Sequence, residues 1–233
     1  RATAAAAAGR GLSCHIVLNG VRPEVLTGNT RLDDLFGATL HFVPGREDRD
    51  PKMAALAASL LERGEKAFVI PLGASTPIGA AGLASGIVEM IGQGHRPEVI
   101  VHASSSGGTQ AGLLAGLALT GLKTRVIGIS ADEPATRLVG VVADLERHLL
   151  ALLLSPEEPL KAEGRDPFVG EGYGLPTEAS REAQRLLARS EALLVDHTYT
   201  AKALAGLISL VREGSLPAGT SILFWHTGGQ VGV

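Results

Sequence analysis

Short apolar runs alternate with amphipathic helical patterns along most of the chain. The runs that we predict as strands are apolar throughout and cover residues 15–19, 39–44, 67–73, 98–104, 125–131, 191–197 and 221–227. The segments with helical spacing lie between them and cover residues 51–64, 78–94, 109–121, 134–154, 177–190 and 200–214. The Ala-rich start is also predicted to be helical, and the apolar positions within 134–154 indicate one buried helix face.

Strands that are apolar throughout and separated by helices favour a parallel sheet covered by helices on both sides. We therefore predict an α/β fold. Residues 71–77, PLGASTP, combine Pro, Gly and Ser ahead of a long helix. We place a division at this point, with a smaller domain over 1–71 and a larger one over 72–233. Parallel sheets bind ligands at the carboxyl ends of their strands, so the functional residues are expected in the turns that follow the strands.

The turn SSSGGTQAG, residues 104–112, has the composition of an anion site. Gly107 and Gly108 leave the backbone N–H groups accessible, and Ser106 and Thr109 add hydroxyls at a helix N-terminus, whose dipole favours negative charge. We interpret this turn as a phosphate cup. The alternative is a tight turn with an ordinary Ser/Thr helix cap.

A dinucleotide site is the main rival interpretation of that turn. Asp132 lies 20 residues past Gly112, about where an acid that binds ribose would lie. The turn does not have the G-x-G-x-x-G spacing, however, and several predicted strands precede it. No Gly-Lys-Ser/Thr sequence follows that would indicate a P-loop, and Asp132 also suits the start of the helix that follows Pro134.

Two further turns place polar groups at the same predicted edge. The two tyrosines of the chain lie in GEGYGLPT, as Tyr173, and in DHTYTAKA, as Tyr199. A phenol in such a turn can act as an acid, a base or a hydrogen-bond donor, although each tyrosine alone could be structural. His226 and Thr227 end a buried strand before two glycines, and His226 alone fits a core histidine.

Composition and charge exclude several classes of function. The 233 residues carry a formal net charge of −3, with 45% hydrophobic and 19% charged residues. This balance is typical of a globular protein and gives no basic surface for nucleic acid. No apolar run predicts a membrane span, and the seven histidines lack paired metal spacing. The single cysteine, Cys14, cannot form an internal disulfide and suits a reducing cytosol, so we expect a cytoplasmic protein.

Together these motifs resemble a known enzyme family. The segments GNTRLDDLFGA, VIPLGASTPIGAAG, SSSGGTQAG, RVIGISA, GYGLPT, DHTYTAKALAGL and ILFWHTGG occur in one order along nearly the whole chain. They resemble the pyridoxal-phosphate enzymes of the tryptophan-synthase-β fold (fold type II), in the branch of D-cysteine desulfhydrase and 1-aminocyclopropane-1-carboxylate deaminase. The resemblance implies two parallel-sheet α/β domains with pyridoxal 5'-phosphate between them.

The resemblance also implies a role for each matched residue. The cofactor's phosphate would be held by Ser106, Gly107, Gly108 and Thr109. Thr227 would offer its hydroxyl to the pyridine nitrogen, and Gly73, Ala74 and Ser75 would lie close to the cofactor. Tyr173 and Tyr199 would flank the substrate as polar or acid–base groups.

The resemblance implies a lyase or deaminase that acts on a small amino acid. A neutral hydroxyl at the pyridine nitrogen suits expulsion of a leaving group from Cβ, and D-cysteine would give sulfide, pyruvate and ammonia. Deaminases of the family carry an acid directly after the tyrosine, where this chain has Thr200, which favours the desulfhydrase. The cyclopropane-carboxylate deaminase stays as the alternative, a dinucleotide-binding oxidoreductase is a further one, and the family suggests a homodimer.

The cofactor-binding lysine is the part of the family pattern that we do not find. By resemblance it would precede Arg1, and Lys202 belongs to the tyrosine motif instead. The other lysines are predicted on helix or loop surfaces, and they are Lys52, Lys66, Lys123 and Lys161. Because the sequence starts without a methionine, we interpret it as a piece of a longer protein. As written, the chain is expected to be inactive, as a fragment or as a pseudoenzyme.

Overall fold

The chain forms two compact units in a computed structural model that describes residues 1–229. The division between the units falls after Pro71. Residues 230–233, which follow the HTGG turn and belong to the larger predicted domain, lie outside the described residues. In the described part of the chain, no helix combines the length and the apolar character that a membrane span requires.

The first unit is a small α/β layer. Its helices are α1 (Ala2–Ala8), α2 (Gly28–Leu35) and α3 (Arg49–Glu62), and its strands are β1 (His15–Asn19) and β2 (Thr39–Val43). The two strands pair in parallel, with His15 opposite Thr39 and Asn19 opposite Val43. The strand positions and the helical Ala-rich start are those that the sequence pattern predicts.

The second unit is built on a parallel sheet. Its strands are β3 (Val99–Ser104), β4 (Arg125–Ser130), β5 (Glu163–Arg165) and β6 (Ile222–Trp225). Its helices are α4 (Pro77–Gly92), α5 (Gly108–Thr120), α6 (Ala135–Leu152), α7 (Glu178–Glu191) and α8 (Thr200–Arg212). The strand order is β5-β4-β3-β6 and every pair is parallel. The predicted α/β class with parallel sheets is therefore confirmed.

Helices cover both faces of this sheet. On one face, Ile100 and Val126 pack with Leu113 of α5 and Val142 of α6. On the other face, Val101 and Ile127 pack with Ala203 and Leu210 of α8. Every residue of β3 is buried, which explains why the central strand is apolar on both sides. Burial of each large apolar side chain contributes about 2 kcal/mol, so this core holds the strand ends in fixed positions.

Two predicted strands do not form, and one observed strand is not predicted. Residues 67–71 belong to no helix or strand, and their apolar side chains are exposed, with 79% of Phe68 accessible. A single 3₁₀ turn, Leu72–Ala74, follows. Residues 191–197 follow Ala192, which ends α7 in the left-handed conformation. The prediction of a strand was wrong for both segments. A strand needs a neighbouring strand to pair with, and apolar composition alone does not show whether one is present. The short strand β5 carries no apolar pattern, since it is formed by pairing with β4.

Candidate functional site

The candidate site lies at the carboxyl edge of the sheet in the second unit. Strands β3, β4 and β6 are parallel neighbours, so the segments that follow them emerge at the same edge. Ser104 ends β3 beside Ser130 of β4, and the N–H of Ala131 donates to the carbonyl of Ser104 at 2.9 Å. The edge thus brings together the turn after Ser104, the segment that contains Asp132 and the turn that contains Thr227.

The glycine-rich turn after β3 forms a cup at the N-terminus of α5. Gly107 precedes the helix with φ 83°, a left-handed conformation that favours glycine, and no side chain caps the helix start. The first N–H groups of a helix have no partner within the helix. Here they are left available at the positive end of the helix dipole, which suits an anion.

A second loop closes one side of this cup. The Ser75 hydroxyl donates to Ser106 Oγ at 2.7 Å, which leaves the proton of Ser106 free to donate elsewhere. A methyl group on Gly108 would lie 2.7 Å from Ser75 Oγ, and one on Gly73 would collide with Ser106 Oγ. Glycine is therefore required at both positions by the close approach of the two loops. The predicted phosphate residues and the predicted Gly73–Ser75 segment form one cradle, which fits a phosphate-bearing group.

Unpartnered polar atoms lie behind the cup, inside the sheet and helix layer. Among the described residues, the buried atoms Ser104 Oγ, His102 Nε2 and Gln110 Oε1 have no hydrogen-bond partner. Burial lowers the pKa of His102 to about 4, so its ring is neutral at neutral pH, and its Nδ1 lies 2.8 Å from the carbonyl of Ala103. The sequence analysis did not identify this cluster, although the polar residues in an otherwise apolar strand were a visible signal.

The two tyrosines are in contact. Their hydroxyl oxygens lie 2.5 Å apart, and the rings meet edge to face with centroids 5.6 Å apart. Burial, followed by the hydrogen bond to Tyr173, raises the pKa of Tyr199. Tyr173 is 53% exposed. The pair thus presents one accessible phenol supported by a more buried one that keeps its proton.

Asp196 organises the start of α8, and the sequence analysis did not identify it. One carboxylate oxygen accepts from the N–H groups of Thr198 and Tyr199, each at 3.1 Å. The other accepts from the N–H of Thr200 at 2.9 Å and from its hydroxyl at 2.7 Å. Asp196 is 6% exposed. An acid four residues ahead of a helical pattern was the available signal for this capping role.

The turn that contains Thr227 is held against the same segment. His226 Nε2 lies 2.8 Å from the carbonyl of Leu194, and the Thr200 hydroxyl lies 3.3 Å from the carbonyl of Gly228. Thr227 itself is exposed. The structure therefore places Thr227 beside the start of α8 and leaves its side chain accessible, whereas the Thr200 hydroxyl is engaged with Asp196.

A glycine-rich cup that suits an anion, a pair of phenols and an accessible hydroxyl lie at the carboxyl edge of a parallel sheet, an arrangement that fits the class of enzyme that holds a phosphorylated cofactor. The model of the pyridoxal-phosphate dependent enzyme family matches residues 1–228. The chain belongs to this family, and its cofactor is pyridoxal 5'-phosphate. The predicted family and cofactor are confirmed.

Similar proteins carry two different activities in their names. The D-cysteine desulfhydrase of Salmonella typhi is 34% identical over 240 residues, which cover 98% of this chain and 72% of the relative. A Pyrococcus furiosus protein provisionally named 1-aminocyclopropane-1-carboxylate deaminase is 35% identical over 236 residues, which cover 99% of this chain and 70% of the relative. Family membership therefore indicates a lyase or deaminase without choosing between these substrates.

Solved structures show the same fold. The structure of an ACC deaminase homologue has a TM-score of 0.86 at 33% identity and covers 97% of this chain and 69% of that one. Serine racemase from Dictyostelium discoideum has a TM-score of 0.67 at 14% identity, with 100% and 73% covered, and it shows the fold alone. The predicted fold type II architecture is confirmed.

Proposed function

We propose that this protein is a pyridoxal-phosphate-dependent lyase that expels a leaving group from Cβ of a small amino acid, with D-cysteine as its substrate. The observation that carries the choice is Thr200. A neutral residue follows Tyr199, it is buried, and its hydroxyl is engaged with Asp196. Position 200 thus supplies no acid to the site, and the accessible hydroxyl of Thr227 is the neutral group proposed for the pyridine nitrogen.

The proposed chemistry divides between the cofactor and the chain. When bound, pyridoxal phosphate accepts the electron pair released as the Cα–H bond of an amino acid breaks. The cup of Ser106, Gly107, Gly108 and Thr109 would hold its phosphate through backbone N–H groups and hydroxyls. This anchoring fixes the reacting end of the cofactor relative to the sheet edge, which is the orientation that catalysis requires.

The tyrosine pair is proposed to donate a hydrogen bond to the leaving group. In a hydroxyl pair, one O–H donates to its neighbour, and the accepting phenol keeps a proton that it can donate elsewhere. Because burial, followed by the hydrogen bond to Tyr173, raises the pKa of Tyr199, Tyr199 stays protonated at neutral pH. For D-cysteine, the Cβ–S bond breaks and the sulfur leaves as hydrosulfide, which takes a proton from water, and water converts the remaining skeleton to pyruvate and ammonia.

The cofactor-binding lysine is proposed to be none of the five in this sequence. Lys202 is fully buried and donates to backbone carbonyls. Lys123 and Lys161 line a groove at the amino-terminal edge of the sheet, opposite the cup. Lys52 and Lys66 belong to the first unit. Borohydride reduction of the 233-residue chain with pyridoxal phosphate, followed by peptide mass mapping, tests this. Specific labelling of any one of these lysines would contradict it.

Substrate assays on the natural protein loaded with pyridoxal phosphate test the activity. We expect sulfide and pyruvate from D-cysteine in equal amounts and little product from 1-aminocyclopropane-1-carboxylate. If the cyclopropane substrate instead gives the keto acid expected from ring opening, the alternative deaminase is the function. Cofactor absorbance without turnover of either substrate would indicate a non-catalytic protein.

Substitution at position 200 tests whether this residue decides between D-cysteine and 1-aminocyclopropane-1-carboxylate as the substrate. Thr200→Glu introduces the acid found in deaminases, and Thr200→Gln is its neutral match in size. Because either side chain must displace the hydrogen bonds to Asp196, only the difference between the two variants reports on charge. We expect Thr200→Glu to raise the ratio of ring opening to sulfide release relative to Thr200→Gln. Equal ratios would remove this residue from the discrimination.

A further inference from the structure

Lys202 is a buried lysine that the proposed chemistry does not use. It lies on α8, three residues after Tyr199, and its side chain is 0% exposed. Lysine is rarely buried without a partner, because removing an ammonium from water is costly. In residues 1–229 no carboxylate lies within 4.0 Å of its Nζ atom. Burial lowers the pKa of Lys202, and the more distant charge of Asp132 opposes this. The direct contacts of the ammonium must come from other groups.

Three backbone carbonyls receive the ammonium of Lys202. Nζ donates to the carbonyl of Val169 at 2.8 Å, to that of Gly172 at 2.9 Å and, more weakly, to that of Ala131 at 3.4 Å. An ammonium has three N–H donors, so the contacts match its full capacity. The carbonyls come from the end of β4 and from the turn that carries Tyr173.

That turn has little other regular structure. Gly170, Gly172 and Gly174 all have positive φ values, of 67°, 151° and 77°. The N–H of Leu175 donates to the carbonyl of Gly172 at 3.3 Å, and no helix or strand includes residues 166–177. Phe168, just ahead of the turn, packs against α8, and within the turn the ammonium supplies the polar contacts between the backbone and α8. Because Gly172 directly precedes Tyr173, these contacts also set where the Tyr173 ring lies.

We propose that Lys202 is a positioning residue: its ammonium, held by the carbonyls of Val169, Gly172 and Ala131, fixes the turn of residues 169–174 so that the Tyr173 hydroxyl meets that of Tyr199. The three carbonyls resemble the ligands of a small monovalent-cation site, and the Lys202 ammonium occupies the position of the cation. The catalytic consequence rests on the proposed role of the tyrosine pair. The positional consequence rests on geometry alone.

Lys202→Ala and Lys202→Met separate the ammonium from the rest of the side chain. Lys202→Ala leaves room for an external cation, whereas Lys202→Met fills the space with an apolar chain of similar length. The readout is the ring ¹³Cζ NMR signal of labelled tyrosine at pH 7, which reports the hydrogen bonding of each hydroxyl without deprotonating the ammonium. This signal is specific because Tyr173 and Tyr199 are the two tyrosines of the sequence. Lys123→Met, at the opposite edge of the sheet, is the control for loss of one positive charge.

In the wild-type chain we expect two distinct ring ¹³Cζ signals, because one hydroxyl of the pair donates to the other and Tyr199 is the more buried of the two. In both Lys202 variants the pair separates, and both signals should move toward the position of tyrosine in the unfolded chain. Methylammonium should restore the wild-type signals in Lys202→Ala and not in Lys202→Met. Lys123→Met should give the wild-type signals.

Unchanged tyrosine signals in a folded Lys202→Met or Lys202→Ala chain would overturn the proposal. If neither folds, Lys202→Gln, which keeps two N–H donors, is the deciding variant, and its tyrosine signals must also move. Failure of all three to fold, without recovery in methylammonium, would show that Lys202 is needed only for folding. None of these measurements requires cofactor or substrate. Absence of sulfide release by the wild-type protein would therefore refute the proposed function and leave this result standing.

Discussion

Replacing Glu146 by glutamine should stabilise the second unit at pH 8 and change its stability little at pH 5. Glu146 is 0% exposed on α6. One carboxylate oxygen accepts from the N–H of Leu160 at 2.8 Å, and the other has no partner among the described residues. Burial raises the pKa of this carboxyl from 4.5 to about 7, against a smaller lowering by the hydrogen bond from Leu160.

The sign follows from proton binding. Between about pH 4.5 and 7 the native carboxyl keeps a proton that the unfolded chain has lost, so stability falls as pH rises through this range. A shift of this size corresponds to at most about 3 kcal/mol, at 1.36 kcal/mol for each pKa unit. Because the segment around Leu160 that contacts Glu146 is largely exposed, nearby solvent reduces this cost, and we expect about half of it, ~1.5 kcal/mol. Glutamine accepts the same N–H without titrating.

The measurement is urea unfolding at the two pH values, followed by the fluorescence of Trp225. Trp225 is the single tryptophan and packs in the same cluster as Leu138 and Val142 of α6, so it reports on this unit. Glu157→Gln removes an exposed carboxylate from the adjacent segment and is the matched control. If Glu146→Gln and the wild type lose the same stability between pH 5 and pH 8, burial of Glu146 does not cost what the structure indicates.

Two further predictions concern the cup and the start of α8. Gly108→Ala should weaken pyridoxal phosphate binding by tenfold or more, about 1.4 kcal/mol, because the methyl group would lie 2.7 Å from Ser75 Oγ. An absorbance titration with the cofactor measures this. Gly82→Ala is the control, since its methyl group meets nothing within 4 Å, and it should bind the cofactor as the wild type does. Asp196→Ala should lower the free energy of unfolding, measured in urea, by about 3 kcal/mol, because four charge-assisted hydrogen bonds are lost at once. Asp144→Ala is the control. It removes an exposed ion pair with Arg147 and should lower the free energy of unfolding by less than about 0.5 kcal/mol. Equal effects within either pair of variants would contradict the corresponding role.

The sequence predicts the parts of the fold that depend on local pattern. Strands β3 and β4 are apolar on both faces because helices cover both faces, so a run such as VIVHAS is recognisable without its neighbours. The segment 191–197 also contains an apolar run, ALLV, and forms no strand. Its backbone carbonyls instead accept hydrogen bonds from side chains: the carbonyl of Leu194 from the His226 ring and the carbonyl of Val195 from the Gln184 amide. Strand pairing depends on residues distant in sequence, and composition does not encode it.

The candidate site divides in the same way. The cup was predictable because glycines, hydroxyls and a helix start are contiguous in SSSGGTQAG. The contact between Tyr173 and Tyr199 joins residues 26 positions apart, and motif order could suggest it without giving its geometry. Asp196 had a local signal, an acid ahead of the helical pattern of α8, whereas Lys202 was missed as part of the site because it acts on backbone carbonyls. Backbone atoms carry no sequence signal at the position that receives the bond.

These two charged residues hold in place the neutral tyrosine hydroxyls on which the proposed chemistry depends. Asp196 binds the N–H groups that open α8, and Lys202, on the same helix, binds the carbonyls of the Tyr173 turn. Backbone dipoles compensate each charge. Asp196 thereby fixes the backbone at Tyr199, and Lys202 fixes the backbone next to Tyr173. A substitution at either position would then lower turnover through the tyrosine pair without removing any group that touches the substrate. It follows that a fall in kcat alone cannot assign a catalytic role at Asp196 or Lys202. The tyrosine signals at pH 7, which need no substrate, are the measurement that separates a catalytic role from a positioning one.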